Sequence, residues 1–461
     1  MLHKKVQRPK QTALSPDPVR ITRRVFLRRS TGAAAFLLAA PVWCTAKDKP
    51  EKSDTDLLAE ARTRIENYRK GEGTIAVRTA KGGPVPGVPI RLEQLRHDFL
   101  FGCNLFQFGR CDNPEHEQQY RERFAALLNY CTLAFYWATY EPTRGSPDYS
   151  YTDQVLEWTR AKGITCKGHP LVWDHPAGSP TWLPDNGNEL QQLSDARVRQ
   201  LVSQFQGQLN IWDVVNEATH LPEHQNKTKM ANLGAAMGPA AYTSEALRIA
   251  RSANSKALLL VNDYRTDQAY YDLLKNLQIN GRFLYDVTGI QSHMHDGLWP
   301  LPKSWNICDT FGKLNRAIHF TESTVLSGVR IGQGENWGPT TPDGEGKQAD
   351  YTVNFYTMLF AHPTVHAITW WDFSDFNAWQ KAPAGWLRKD MSPKPIYHRL
   401  MDLIKRQWWT SLQGETGPRG NYITRGYYGT YRITLQPPKA PPLTRIVQWQ
   451  RGSDNVFAFK I

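Results

Sequence analysis

Short apolar runs alternate with helix-like segments along most of the chain after residue 98. The eight runs are Phe99–Asn104, Cys131–Phe135, Thr165–His169, Ile211–Asn216, Ala257–Asn262, Val287–Gln291, Ala317–Phe320 and Ala367–Trp371. They are continuously apolar rather than alternating, which is typical of strands buried on both faces of a parallel sheet. Eight such strands separated by helices predict an α/β fold of the (β/α)8 type, a TIM barrel.

The segments on either side of these runs lack the same repeat. They predict a helix at Leu57–Arg69 and strands at Thr74–Arg78, Val88–Leu95, Gly426–Leu435 and Arg445–Trp449. We therefore predict an N-terminal helix and β preface over residues 47–97, the barrel over residues 98–410, and a small C-terminal β appendage over residues 411–461.

Residues 1–46 differ from the rest of the chain in charge. They hold nine Lys and Arg and one Asp, so eight of the 13 net positive charges lie there. The segment Thr22–Arg28 resembles the twin-arginine export signal of bacteria, and an apolar stretch from Gly32 to Val42 follows it. We interpret residues 1–46 as a twin-arginine-type signal peptide cleaved after Ala46, and we expect a periplasmic or extracellular protein.

The remaining composition narrows the class of protein. Outside residues 1–46 the net charge is only +5, without a basic run that interleaves aromatic residues, so no nucleic-acid partner is expected. No apolar stretch reaches the roughly 18 residues of a membrane-spanning helix. Five cysteines remain without a C-x-x-C pair, which indicates neither a zinc site nor a complete disulfide framework. We expect a monomer that needs neither metal nor cofactor.

Side chains that can take part in catalysis or binding follow the apolar runs, at the end of the strands where a barrel carries its active site. They are His169, Trp173, Asn216, Glu217, Asn262, Asp263, Gln291, His293, Glu322, Trp371 and Trp379. Two carboxylates suit glycoside hydrolysis, in which one protonates the leaving oxygen and the other attacks or activates water. Flat Trp faces pack against the apolar faces of sugar rings. The sequence therefore predicts a polysaccharide or oligosaccharide site at the barrel mouth.

At these residues the chain resembles glycoside hydrolase family 10, the retaining endo-β-1,4-xylanases. The matching segments, in the family's order, are Gly168–Trp173, Trp212–Glu217, Val261–Tyr264, Gln291–His293, Thr321-Glu322 and Trp370–Trp379. The resemblance covers about Phe99 to Trp409. It implies that Glu217 is the acid/base and Glu322 the nucleophile.

The resemblance also implies roles for the surrounding polar and aromatic side chains. The residues expected to bind substrate are His169, Trp173, Asn216, Asn262, Gln291, His293, Trp371 and Trp379. A nucleophile has to stay ionised and needs hydrogen-bond donors, of which His293 is the expected one for Glu322. Gln291 and Asn262 would orient the two glutamates. Asn216 would hold the sugar 2-hydroxyl.

One segment departs from the family pattern. Where family members typically carry a Glu-Asn pair and a Lys that grip the sugar, this chain has Thr132, Leu133 and Tyr136. The expected substrate is a β-1,4-linked polysaccharide, namely xylan or a decorated xylan. Two alternatives stay open, a barrel that binds carbohydrate without cleaving it and a hydrolase of different β-glycan specificity. The Gly-rich segment around Glu335-Asn336-Trp337 is either a mobile loop or an extra sugar contact.

Overall fold

The computed structural model describes residues 52–461 apart from Gln333 and Lys439, so the predicted signal peptide lies outside the described residues. The strands, numbered in chain order, are β1 (Lys70–Arg78), β2 (Pro89–His97), β3 (Leu100–Asn104), β4 (Tyr130–Ala134), β5 (Thr165–His169), β6 (Val172–Trp173), β7 (Ile211–Asn216), β8 (Leu258–Asp263), β9 (Gln278–Ile279), β10 (Arg282–Phe283), β11 (Val287–His293), β12 (Ala317–Thr324), β13 (Val365–Trp370), β14 (Ser411–Glu415), β15 (Asn421–Tyr427), β16 (Gly429–Leu435), β17 (Leu443–Trp449) and β18 (Val456–Lys460).

The helices are numbered in the same way. They are α1 (Asp54–Tyr68), α2 (Pro114–Leu127), α3 (Trp137–Tyr140), α4 (Ser150–Lys162), α5 (Gly187–Gln204), α6 (Leu221–His224), α7 (Lys229–Met237), α8 (Pro239–Ala253), α9 (Gln268–Asn276), α10 (Leu301–Gly312), α11 (Pro342–Ala361) and α12 (Pro395–Asp402). Short 3-10 turns lie at Pro176–Gly178, Ala218–His220 and Trp379–Lys381, and a π-helical turn at Leu403–Gln407 extends α12.

Local capping signals set several helix ends. The Asn186 side chain accepts hydrogen bonds from the backbone N–H groups of the first turn of α5, and Thr341 does the same for α11. Helix α4 ends at Gly163, whose φ of +67° is the left-handed conformation that glycine adopts at low cost. Such caps satisfy backbone groups that have no partner within the helix.

Eight parallel strands close into a barrel, in the order β3-β4-β5-β7-β8-β11-β12-β13, with β13 pairing back to β3. The ring closes between β5 and β7, where Gly168 lies opposite Trp212. A Cβ atom on Gly168 would lie 2.3 Å from the Trp212 ring, so this close approach requires glycine. Each predicted apolar run overlaps one barrel strand, and the predicted fold class is confirmed.

Apart from β6, which pairs with β7, and the separate β9–β10 pair, the strands outside the barrel form one β module. Strand β1 pairs with β15 and β18, while β2 pairs with β14 and β16, and β16 with β17. The preface and the appendage, which the sequence pattern presents as two separate parts, therefore share two sheets. Their inward side chains form one apolar core that includes Ile75, Leu92, Ile433 and Trp449.

One predicted strand of this module is corrected. Gly426–Leu435 was expected to be continuous, but the chain leaves one sheet at Tyr427 and enters the other at Gly429. A Cβ atom on Gly429 would lie 2.0 Å from the Arg96 carbonyl oxygen, so the crossing needs a residue without a side chain. Apolar alternation continues across the break, and the sequence pattern therefore hides it.

The β module attaches at the amino ends of the barrel strands, away from the mouth. The buried Arg69 guanidinium donates to the carbonyl oxygens of Phe360, His362 and Val365 at 2.5–2.7 Å. Arg96 donates to the Thr165 hydroxyl at the start of β5. Among the described residues, no helix has the length and apolar character needed to cross a membrane.

Candidate active site

Glu217 follows the last residue of β7 and is one of the two glutamates at the barrel mouth. Its φ of +59° places it in the left-handed region, which costs a non-glycine residue about 1–3 kcal/mol and is common at functional sites. Glu217 Oε1 accepts from Gln291 Nε2 at 2.9 Å and Oε2 from Trp173 Nε1 at 3.1 Å. Burial and the negative charge of Glu322 raise the pKa of Glu217 despite these donors. The carboxyl group therefore holds its proton to higher pH than an ordinary glutamate.

Glu322 lies within β12, and its carboxylate is buried at the centre of the mouth. Oε2 accepts from His293 Nε2 at 3.1 Å, and Oε1 accepts from Asn262 Nδ2 at 2.8 Å. His169 Nε2 is 3.9 Å from Oε1. Burial alone would raise the pKa of Glu322, but the hydrogen bond from His293 and the positive field of His169 and Lys167 hold it below its usual value. The two glutamates thus differ in the direction of their pKa shifts.

Amide side chains connect the two carboxyl groups. Asn216 Oδ1 accepts from Asn262 Nδ2 at 2.8 Å and from Gln291 Nε2 at 3.4 Å. Asn262 and Gln291 also donate to Glu322 and Glu217, so a continuous hydrogen-bonded path joins the glutamates. Strand register places these residues side by side, since Asn216 pairs with Asn262 and Gln291 with Glu322.

A buried ion pair supports the site from inside the barrel. Asp213 Oδ2 lies 2.8 Å from His169 Nδ1 and 2.5 Å from Lys167 Nζ. Lys167 and His169 hold the pKa of Asp213 below its usual value although burial opposes this. Because His169 Nδ1 faces Asp213, its Nε2 points toward Glu322.

Aromatic rings form the walls around the glutamates. The Trp371 ring lies edge-on to His169 and His293, with centroids 5.6 and 5.8 Å apart. Trp379 lies 4.6 Å from the His293 ring and is 43% exposed, which leaves a flat face open to a ligand. The Trp379 backbone N–H donates to Asp372 at 3.1 Å, and burial raises the pKa of Asp372 to about 7.

Tyr136 occupies the side of the mouth where the sequence departs from the family. Its ring packs between His169 and Trp173, with centroids 6.0 and 5.7 Å away. Burial and the negative charges of Glu322 and Glu217 raise the pKa of the Tyr136 phenol. Tyr136 is thus an uncharged aromatic side chain at a position where the sequence resemblance leads us to expect a lysine.

The structure brings all the nominated site residues into one network of contacts. They are Glu217, Glu322, His169, Trp173, Asn216, Asn262, Gln291, His293, Trp371 and Trp379. Their catalytic and binding roles stay predictions.

Sequence reasoning missed several supporting residues. Lys167 and Asp213 lie inside strands that are otherwise apolar. The Thr321 hydroxyl donates to Asn262, and the Thr324 hydroxyl lies against His293 Nδ1. A charged residue two positions before a strand-end histidine is a usable signal, because alternate residues of a strand share one face. The threonines carry no comparable signal, since threonine is common in strands.

The Gly-rich segment forms a small hairpin beside the mouth. Arg330 and Trp337 pair across it, and the Trp337 ring lies 5.5 Å from the His295 ring. No described residue of the hairpin hydrogen-bonds to Glu217 or Glu322, and Glu335 instead accepts from Gln380 at 2.7 Å. Whether the segment is a mobile loop or a sugar contact stays a prediction. Within residues 52–461, Gln333 and Lys439 aside, no group of three or more His, Cys, Asp or Glu is arranged to hold a metal ion.

The chain folds as a closed (β/α)8 barrel, and two glutamates joined through hydrogen-bonded amide side chains lie at the carboxyl ends of its strands. These features define the class of protein as a TIM barrel with a pair of carboxylates at its mouth. The chain belongs to glycosyl hydrolase family 10, whose family model matches residues 96–403. The resemblance noted from the sequence is thereby confirmed.

The chain is similar to individual proteins with different names. Anti-sigma-I factor RsgI6 of Acetivibrio thermocellus is 26% identical over 87% of this chain and 49% of its own length. Endo-1,4-beta-xylanase 5 of Arabidopsis thaliana is 27% identical over 66% of this chain and 51% of its own length. The chain thus spans about half the length of these curated relatives. The crystal structure of xylanase 10B from Thermotoga petrophila RKU-1, in complex with xylobiose, matches with a TM-score of 0.56 at 24% identity, over 67% of this chain and 95% of that one. This last likeness supports the barrel fold.

Proposed function

We propose that the protein is a retaining glycoside hydrolase that cleaves β-1,4-linked xylan or a decorated xylan. The observation that carries the proposal is the pair of linked glutamates with opposite pKa shifts. A double displacement needs one carboxyl group that is protonated and one that is ionised in the free enzyme. Raised pKa at Glu217 and lowered pKa at Glu322 match these two requirements.

The reaction has two steps. Glu322 attacks the anomeric carbon and forms a glycosyl ester, while Glu217 gives its proton to the departing glycosidic oxygen. Esterification removes the negative charge of Glu322, one of the causes of the raised pKa of Glu217, which then accepts a proton from water. That water attacks the same carbon, releases the sugar with its original configuration, and restores both carboxyl groups.

The substrate is proposed from the family and from the altered side of the mouth. Relatives named as xylanases support a xylan backbone. Thr132 and Leu133 are fully or nearly buried, at 0% and 4% exposed, and Tyr136 carries no charge. Each charged hydrogen bond to a sugar hydroxyl is worth about 1.5–3 kcal/mol, so their loss weakens the grip on an unsubstituted xylose. We therefore propose better activity on a branched or otherwise substituted β-glycan than on plain linear xylan.

Release of reducing sugar from a panel of linear and decorated polysaccharides tests the activity. Glu322→Ala should abolish turnover with the fold intact by circular dichroism, because no other carboxylate occupies its place. Glu157→Ala, on the exposed face of α4, is the matched control and should stay active. Full turnover in Glu322→Ala would exclude it as the nucleophile, and an inverted first product, seen by NMR, would exclude retention.

A barrel that binds carbohydrate without cleaving it is the second candidate. It is favoured by the name of the relative aligned over 87% of the chain, Anti-sigma-I factor RsgI6, since that name mentions no hydrolase activity. The hydrogen-bonded path between the glutamates favours the enzyme, because a binding protein needs no such arrangement. Binding of xylo-oligosaccharides by calorimetry without any release of reducing ends would establish the binding protein.

Export is part of the proposal as well. Arg23-Arg24 within a twin-arginine-like segment supports transport to the periplasm or beyond, where polysaccharide is available.

A further inference from the structure

The turn that carries Glu217 is held by the end of the neighbouring strand. The Glu217 backbone N–H donates to the Asn262 carbonyl oxygen at 2.7 Å. Two residues further on, the Thr219 backbone N–H and hydroxyl both donate to Asp263 Oδ2, at 3.2 and 2.8 Å. The last two residues of β8, Asn262 and Asp263, therefore hydrogen-bond to the turn at Glu217 itself and at Thr219.

Asp263 is a buried carboxylate that the proposed reaction does not use. Its side chain is 0% exposed, and Oδ1 accepts from the Arg265 backbone N–H at 3.0 Å. His220, the last residue of the same turn, has its Nε2 3.7 Å from Asp263 Oδ1. Asp263 thus contacts the turn after β7 at two successive residues.

The backbone conformation of Glu217 has to be imposed by contacts such as these hydrogen bonds. Glu217 has a φ of +59°, a conformation that persists in a residue with a side chain only where surrounding contacts impose it. Released from Thr219, the turn can relax toward an ordinary backbone conformation, which would swing the carboxyl group away from Gln291 and Trp173.

We propose that Asp263 is a positioning residue for the acid/base, holding Glu217 in its strained backbone conformation through Thr219 and His220. The proposal rests on the proposed function, since it assigns Asp263 to the proton-transfer half of that reaction. Asp263 touches no reacting atom in this scheme, and its effect reaches the substrate through Glu217 alone.

The charge of Asp263 adds a second, separable effect. The charged and titratable groups around Glu217 and Asp263 include the carboxylate of Glu322, the phenols of Tyr136 and Tyr264, and the imidazole of His220. The negative charge of Asp263 raises the pKa of Glu217. Asp263→Asn keeps an oxygen for Thr219 but removes the charge, whereas Asp263→Ala removes both.

The test compares two leaving groups. Cleavage of a xylo-oligosaccharide needs a proton on the departing oxygen, whereas cleavage of a dinitrophenyl xylobioside does not. A misplaced general acid costs about 100-fold, so Asp263→Ala should lower kcat/KM about 100-fold on the oligosaccharide and about twofold on the aryl glycoside. Thr219→Val, which removes only the hydroxyl bond, should show a smaller loss with the same selectivity. Equal losses on both substrates would overturn the proposal.

Asp263→Asn should keep most activity on the oligosaccharide and move the alkaline limb of its pH profile to lower pH. Asp267→Asn is the matched control, because Asp267 caps α9 nearby without contacting the turn. An alkaline limb that stays in place in Asp263→Asn would show that its charge does not reach Glu217.

An NMR titration tests the charge effect without turnover, and two activity outcomes separate this proposal from the function on which it rests. The carboxyl carbon of Glu217, observed by NMR titration, should report a lower pKa in Asp263→Asn. If Glu217→Ala retains full activity on the oligosaccharide, the proposed function fails. If Glu217→Ala shows the leaving-group selectivity and Asp263→Ala does not, only the positioning role fails.

Discussion

Replacing His293 with Phe is expected to move the acidic limb of the kcat/KM profile to higher pH. His293 Nε2 donates to Glu322 Oε2 at 3.1 Å, and Thr324 Oγ1 lies 2.8 Å from Nδ1, where its hydroxyl can donate and fix the tautomer. Phe keeps a ring that packs against Trp371 and Trp379, but it offers no donor. The perturbation therefore removes one hydrogen bond with little change of packing.

The size of the shift follows from the contacts of the carboxylate. A hydrogen bond to a charged group contributes about 1.5–3 kcal/mol, and one pKa unit corresponds to about 1.36 kcal/mol. Loss of the His293 bond should therefore raise the pKa of Glu322 by about 1–2 units. The remaining bond from Asn262 to Oε1 limits the rise. Because only ionised Glu322 attacks, kcat/KM below the acidic limb should fall about 10- to 100-fold.

The assay is the pH dependence of kcat/KM on a soluble xylo-oligosaccharide. His116→Phe is the matched control, since His116 pairs with Asp112 on the surface at 2.6 Å and hydrogen-bonds to neither glutamate. His293→Gln should show a smaller shift, because its amide can still donate. An acidic limb that stays in place or moves to lower pH in His293→Phe would refute the assignment of His293 as the group that keeps Glu322 ionised.

Three further outcomes are expected. Gln291→Leu removes a hydrogen bond that lowers the pKa of Glu217, so the alkaline limb of the kcat/KM profile should move to higher pH by about 1–2 units. A move to lower pH would contradict this role of Gln291. Gly168→Ala places a Cβ atom 2.3 Å from an indole ring and should lower the free energy of unfolding by about 1–3 kcal/mol in urea, whereas Gly346→Ala, in open space on α11, should not lower it. Changing Arg23-Arg24 to Lys-Lys should trap the protein inside the cell by fractionation, and unchanged export would exclude the twin-arginine route.

The barrel could be predicted from the sequence because its signal is local. A strand buried on both faces is mostly apolar, and the residues at its carboxyl end lie at the mouth, so position along the chain was enough to find Glu217 and Asn262. The order of the motifs then pointed to the family. Roles of single residues follow from that order and not from geometry.

Contacts between segments that are distant along the chain could not be predicted from the sequence. Strand β1 pairs with β15, and Lys70 lies opposite Tyr427, yet an alternating pattern does not say which strand it joins. The choice is made by which apolar faces bury each other in three dimensions. The preface and the appendage therefore read as separate parts until the fold joined them.

Protonation at the site depends on the same long-range contacts. The sequence suggests His293 as a donor to Glu322, but it does not show the charges that surround each glutamate. Tertiary structure sets Glu322 beside His293, His169 and Lys167, and it sets the half-buried Glu217 beside the negative charge of Glu322. The sequence determined which residues reach the mouth, because strand order fixes them. Only the folded barrel decided the directions in which the pKa values of the two glutamates shift, and the backbone strain of Glu217. Burial, charge and hydrogen bonding act through space and not along the chain.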